Sequence, residues 1–455
     1  MRELLILLLA VCLPAYSQQE APHGRPAPLT ERERQLLDRI ERLEQRIAEL
    51  ERRVIPAGVI EDQPDPPPNP LPPAIPPPPI SPANDRIQLG GVLDTYYGYN
   101  FNQPPGGVNQ LRAYDVFSNR FSLNQATFIV DRRPDPDLGS RFGMRVDLMY
   151  GQATETLQGN PRHEPRPQVY RPVFQAYGTY VVPLGRGLTV DFGKWASSVG
   201  FEGNYTREQI NYSRSYWFAF LPFYHFGART NYDVNNSLSL GYWLVNGIEQ
   251  SEDFNQFKSQ AALAHWKPTQ NLSWQLLYYV GREQRTFAPG GDPPGAIQPD
   301  IPATPILPIP DGRTHIWHTY ADWQTTSKLR LVGEGAFYLE RVFATSRPGQ
   351  TYGGAAYAQY RFTRNFTLGG RLAFMNDRNG LFSSVPQRLL DTTATASFDL
   401  GQGLQVRLEF RNDHSNRDFF VTGTPGLLRQ NQPTAILGMI WTGASYLPPL
   451  RRSGN

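Results

Sequence analysis

From about residue 86 to 446 the chain is written in a two-residue period, and no other feature constrains its fold as strongly. "FGMRVDLMY" puts Phe142, Met144, Val146, Leu148 and Tyr150 on one face and Arg145 and Asp147 on the other. "LQVRLEFR" likewise separates Leu404, Val406, Leu408 and Phe410 from Arg407, Glu409 and Arg411. Successive side chains of a strand point to opposite faces, so each segment has one apolar side and one charged side. A soluble sandwich and a membrane barrel both satisfy that pattern, and connection length separates them. Candidate strands begin near residues 87, 121, 141, 172, 187, 223, 236, 257, 271, 313, 328, 351, 365, 389, 403 and 432. Tight connections such as "PLGRG", "VNNS", "KPTQN", "TTSK", "FTRN" and "LGQG" alternate with long polar ones. The alternation predicts an all-β transmembrane barrel of about 16 antiparallel strands over 86–446, with both ends on the short-turn side. A barrel of that size has room for an aqueous channel.

Composition narrows the partners. Mean hydropathy is −0.47 and leaves no long apolar helix, and a net charge of +3 gives nucleic acid no electrostatic footprint. "MRELLILLLAVCLPAYSQQ" reads as a secretory signal over residues 1–17: Arg2, an apolar run from Leu4 to Leu13, then Ala15-Tyr16-Ser17 as a small-x-small site. Cys12, the single cysteine, falls inside it, so cleavage after Ser17 leaves no thiol for disulfides or metal. Residues 29–55 carry a heptad with Leu36, Ile40, Leu43, Ile47, Leu50 and Val54 as its core, predicting an N-terminal α-helical coiled coil. Thr30 and Glu33 form a capping box at its start. Arg39 and Arg46 at g face Glu44 and Glu51 at e, and the Ile-a/Leu-d choice favours two strands. Residues 56–85 are too proline-rich for helix or sheet and read as a semi-rigid spacer. The coiled coil and spacer, and the tail 447–455, are expected in the periplasm.

Catalytic and metal chemistry find little support. His315 and His318 are three apart in a candidate strand and so face opposite sides, poor geometry for one ion. His225 alternates with aromatics and reads as a hydrogen-bonded lumen residue. No nucleophile–base–orienter set is visible, so neither enzyme activity nor a cofactor is expected. The charged face gives acidic lumen candidates Asp94, Asp147, Asp191, Asp233, Glu334, Asp391, Asp399 and Glu409. The basic ones are Arg145, Lys194, Arg229, Arg330, Arg361, Arg371, Arg407 and Arg411. The two signs roughly balance.

The segments "RFSLNQATFIVDRRPDPD", "FGMRVDLMYG", "FQAYGTYVVPLGRGLTVDFGKWASSVGFE", "PFYHFGARTNYDVNNSLSLGYWLVNG" and "QPTAILGMIWT" resemble the putative β-barrel porin-2, OmpL-like family of outer-membrane proteins. The Gly193, Lys194, Ser197, Gly200, Glu202 pattern is the most specific part. The resemblance implies an outer-membrane channel that passes small polar solutes or sugars, surrounded by lipid and assembled as a homo-oligomer. A trimer follows by analogy with general and sugar porins, whereas the heptad favours a dimer. In sixteen-strand general porins the third long loop folds inward, and here that loop follows Lys194. Lys194, Glu202, Arg207, Glu208, Arg214 and Arg229 are the expected constriction residues. Tyr212, Tyr216, Trp217 and Phe218 would pack the loop on the wall or stack against sugar rings. The chain departs from many such barrels in ending on "LPPLRRSGN" rather than on an aromatic residue. The alternative is a non-conducting outer-membrane anchor, bound to peptidoglycan through the coiled coil, with the 283–312 loop as a second candidate plug.

Overall fold

The structure is a computed structural model that describes residues 87–158, 164, 167–288 and 304–446. The expected signal peptide, coiled coil, proline spacer and C-terminal tail lie outside the described residues.

Sixteen strands close into one barrel, each hydrogen-bonded to its chain neighbours, with the last returning to the first. They are β1 (Gln88–Asn100), β2 (Arg120–Arg132), β3 (Phe142–Tyr150), β4 (Val173–Val182), β5 (Leu188–Ala196), β6 (Tyr224–Asp233), β7 (Leu238–Val245) and β8 (Ser259–Thr269). Then follow β9 (Leu272–Gly281), β10 (Thr314–Gln324), β11 (Leu329–Glu340), β12 (Gly349–Arg361), β13 (Phe366–Asp377), β14 (Gln387–Gly401), β15 (Leu404–Ser415) and β16 (Asn431–Tyr446). Each starts within two residues of its position in the sequence reading. Closure runs in unbroken antiparallel register from Gln88↔Tyr446 to Asn100↔Thr434. It leaves no open edge, the condition for sheet to exist in hydrocarbon, where unpaired backbone groups find no water.

The period sorts the side chains as expected on most strands. Phe192, Leu276, Trp317, Leu372, Phe410 and Trp441 are exposed on the outer wall, while Asp94, Arg145, Arg371 and Glu409 are buried inside. The inner wall is not polar throughout, however. Trp243, Leu277, Tyr279, Ile316, Val332 and Tyr338 on β7 and β9–β11 also turn inward, and they share one apolar cluster with Val199, Phe201, Trp217 and Leu221 from the β5–β6 connection. Burying those aromatics removes apolar surface from water. Much of the bore is therefore occupied by folded chain, and the strand count alone overstates its free width.

Candidate functional site

The β5–β6 connection, residues 197–223, enters the barrel and is held by the opposite wall. The Phe201 N–H donates to Glu334 Oε1 on β11 at 2.9 Å. The Tyr212 and Ser213 N–H groups donate to the two oxygens of Glu409 on β15 at 2.6 and 2.9 Å. Arg371 on β13 reaches the Ser213 carbonyl at 2.7 Å, and Arg411 on β15 reaches that of Arg214 at 2.5 Å. Arg407 on β15 donates to the carbonyls of Asn211 at 3.0 Å and Gln209 at 2.8 Å. Asp94 on β1 accepts from the Thr206 and Tyr212 hydroxyls. A loop packed inside a barrel must satisfy its backbone polar groups there, and this one does so largely on charged side chains of the wall.

Those side chains are buried, and their charges are met locally. Arg371 bridges Glu202 of the loop at 2.9 Å and Asp391 of β14 at 2.8 Å, and Arg411 pairs with Asp391 at 3.2 Å and Asp413 at 2.7 Å. Arg214, within the loop, donates to the Gly203, Asn204 and Tyr212 carbonyls and lies over the ring of Tyr114. Burial pushes the Glu202 carboxyl up, an effect that Arg371 and Arg214 oppose. The first long connection, 101–119, also turns inward: Arg112 donates to Asp413 through Nε at 3.0 Å, and Tyr114 hydrogen-bonds Asn204.

Beside the loop remains a cavity of about 380 Å³, bounded on one side by loop residues including Glu202, Glu208 and Gln209. Across from them the wall presents Arg145, Gln175, Tyr177, Arg229, Gln275 and Tyr320. Its cations are paired: Arg145 with Asp147 at 2.9 Å, and Arg229 with Asp191 at 2.7 Å while stacking on Tyr177 and Trp195. Glu208 projects into this space. Although the Glu208 side chain is itself exposed to the cavity, the protein enclosing it pushes its pKa up to about 7, with Arg145 and Arg214 pulling the other way. Ser197 at the rim donates to His225 Nε2 over 3.1 Å, a polarity fixed because His225 Nδ1 donates to the Gly247 carbonyl. The lining combines amide groups, aromatic faces and charges of both signs, with little net charge.

The sequence-derived residues are not gathered in one place. Glu202, Glu208 and Arg229, with Arg145, meet at the cavity. Arg371, Arg407, Glu409, Asp94 and Glu334 face inward but lie beneath the loop, where they anchor it, while Arg214 braces the loop from within on its own carbonyls; Arg207 pairs with Asp399 at 2.7 Å nearer the short-turn rim. Asp147 and Asp191 neutralise the cavity arginines, while Asp233 is exposed and accepts from Ser239. Lys194 is placed differently from the expected constriction. It lies three residues from the inward Asp191 and so shares the opposite face with Phe192. There it donates to Gln158 at 2.6 Å and sits 4.0 Å from the ring of Tyr224. Tyr212, Tyr216 and Trp217 are buried and pack the loop. Sequence reasoning missed Arg112 and Tyr114, which no alternation marks, and the wall residues Gln175, Tyr177 and Gln275, whose signal was their place on inward positions. Among the described residues no group of three or more His, Cys, Asp or Glu is positioned to hold a metal ion.

A family model described as Putative beta-barrel porin-2, OmpL-like, matches residues 86–442. No curated protein sequence matches. Among solved structures, OmpT of Vibrio cholerae in its trimer form aligns with TM-score 0.50 and 10 % identity over 78 % of this chain and 99 % of its own. The anion-selective porin of Comamonas acidovorans aligns with TM-score 0.50 and 9 % identity over 78 % and 99 %. The outer-membrane channel DcaP of Acinetobacter baumannii gives TM-score 0.50 and 9 % identity over 78 % and 97 %. At these identities the likeness is one of fold.

Proposed function

The chain belongs to the Putative beta-barrel porin-2, OmpL-like family, and on that premise we propose that it is an outer-membrane porin for small polar solutes, including sugars, that cross beside the inward loop. The observation that carries this reading is the cavity between residues 197–209 and the wall of β3–β6 and β8–β10, with its paired charges and polar lining. Charge-compensated walls give no strong field to select ions, and aromatic faces with amide hydrogen-bonders suit neutral, hydroxyl-rich solutes. In this reading the loop forms the constriction, with Glu202, Glu208 and Arg229 at its edge, and Arg371, Arg407 and Glu409 hold it in place. Assembly as a homotrimer is part of the proposal, after the trimeric OmpT. The chain's N-terminal region is taken to lie in the periplasm.

A second reading, a non-conducting anchor, draws on the apolar packing of the loop against β7 and β9–β11. Liposome swelling separates the two. Vesicles carrying the folded protein are expected to swell in neutral sugars, fastest for monosaccharides and progressively more slowly for di- and trisaccharides. Absence of swelling for every sugar would remove the porin reading and leave the anchor.

A further inference from the structure

The outer wall carries a second constellation, away from the bore. On β9, β10 and β11 the outward alternation runs through Leu276, Tyr278 and Val280, through His315, Trp317 and Thr319, and through Gly335, Phe337 and Leu339. One step further towards the long-connection rim, each strand continues into an arginine: Arg282, Arg313 and Arg341. The pairs Thr314↔Gly281 and Thr314↔Glu340 put the three side by side in one cross-strand row. The Arg341 N–H donates to the Arg313 carbonyl at 3.1 Å, extending the ladder through that row. Lys258 on the far side of Arg282 continues it, but is paired with Asp253. Among the described residues the three arginines form no ion pair. Arg282 Nε is buried without a hydrogen-bond partner. Like charges directly opposite one another in a sheet repel, and the row's internal contacts leave its charge uncompensated: Arg341 donates to the Ala344 carbonyl at 3.2 Å, and Arg282 and Arg313 lie 5.0 and 5.9 Å from the centre of the Phe257 ring.

Below it, past the outward row of Val280, His315 and Leu339, the wall is hollowed. A groove of about 610 Å³ has apolar walls formed by Leu240, Leu276, Tyr278, Trp317 and Phe337, and small residues, Ala262, Ala264 and Gly335, line it as well. An added Cβ at Gly335 would meet only Thr319 Cγ2, at 3.7 Å, so the space is open rather than packed.

We propose that this face binds an acylated, phosphate-bearing lipid of the outer leaflet, with its phosphate on the Arg282–Arg313–Arg341 row and an acyl chain in the groove beneath. Charge complementarity selects this occupant. Guanidinium groups in a row match the several oxygens of a phosphate, and a hydrocarbon chain hanging from the headgroup necessarily runs along the apolar wall. A second copy of the chain would have to present an acidic cluster at the same height. The inference rests on the membrane placement of the barrel, not on the bore.

The test uses the full chain in phosphatidylcholine nanodiscs, mixed with diphosphoryl lipid A or with the same lipid stripped of its phosphates. Retained lipid per chain is counted by native mass spectrometry. The diphosphoryl form should be retained at least about tenfold more strongly than the stripped form. Retention should fall by about the same factor in the combined variant Arg282→Gln, Arg313→Gln, Arg341→Gln, and in the groove-filling variant Ala264→Leu, Gly335→Leu. Both variants should keep the heat-modifiable gel mobility of a folded barrel and, since none of these side chains lines the bore, the single-channel behaviour of the wild type. Equal retention of the two lipids, or undiminished retention in either folded variant, overturns the proposal while leaving the channel reading in place.

Discussion

At the level of single residues, the charges inside the barrel hold chain more than they face solute. Arg371, Glu202 and Asp391 are each almost fully excluded from solvent, and their pairing is a structural clamp. Replacing Arg371 by Met should leave Glu202 buried without its counter-charge and cost on the order of 3–5 kcal/mol, read as a lowered denaturant midpoint in detergent. A loss under about 1 kcal/mol would mean that the clamp is solvated. Glu208 is the residue where pH should be felt. With its pKa near 7, its carboxyl is largely neutral at pH 6 and largely ionised at pH 8. Raising pH across that window adds a negative charge to the passage and should move the reversal potential in a salt gradient towards cation preference. Glu208→Gln should flatten that response, and a variant that still responds fully would clear Glu208 of the role. Alternation alone made most inward charges legible, including Arg145, Arg371, Arg407 and Glu409. It misplaced Lys194, because Asp191 and Lys194 are three apart in one strand and cannot both face inward. What alternation could not say was which inward charges are covered by the loop, since Glu409 and Ser213 are remote in sequence.

At the level of elements, the strands were readable because a one-residue slip would have exchanged every lumen and lipid side chain. The loop's seat was not. It depends on close approach to wall positions without side chains: a Cβ at Gly438 of β16 would fall 2.4 Å from the Tyr212 ring, and one at Gly369 of β13 would fall 2.8 Å from Ile210. Nothing local in either strand marks those glycines as a landing surface. Gly438→Val should lift the loop tip from β16 without breaking the barrel ladder. Single-channel conductance should then rise by about twofold or more, with the heat-modifiable gel mobility of a folded barrel retained. Unchanged conductance in a folded Gly438→Val barrel would show that the loop tip does not limit the passage.

At the level of the whole molecule, sixteen strands, a closed hydrogen-bonded wall and an apolar exterior make a membrane barrel, and in the proposed function the inward connections decide what passes through it. The general architecture was legible in the sequence from strand spacing and connection length. How full the bore is was not, because the inward Leu277, Ile316 and Val332 look in sequence like ordinary core residues and find their partners only across the lumen. In the proposed function a passage stays open beside the loop, and the loop sets its width. Single-channel recording of the purified full chain in a planar bilayer, alongside Gly438→Val, is the decisive experiment. The predicted result is discrete current steps from the wild type, small for a barrel of this size, and larger steps from the variant. Folded wild-type protein that inserts and passes no current, at any voltage that the bilayer tolerates, would contradict it.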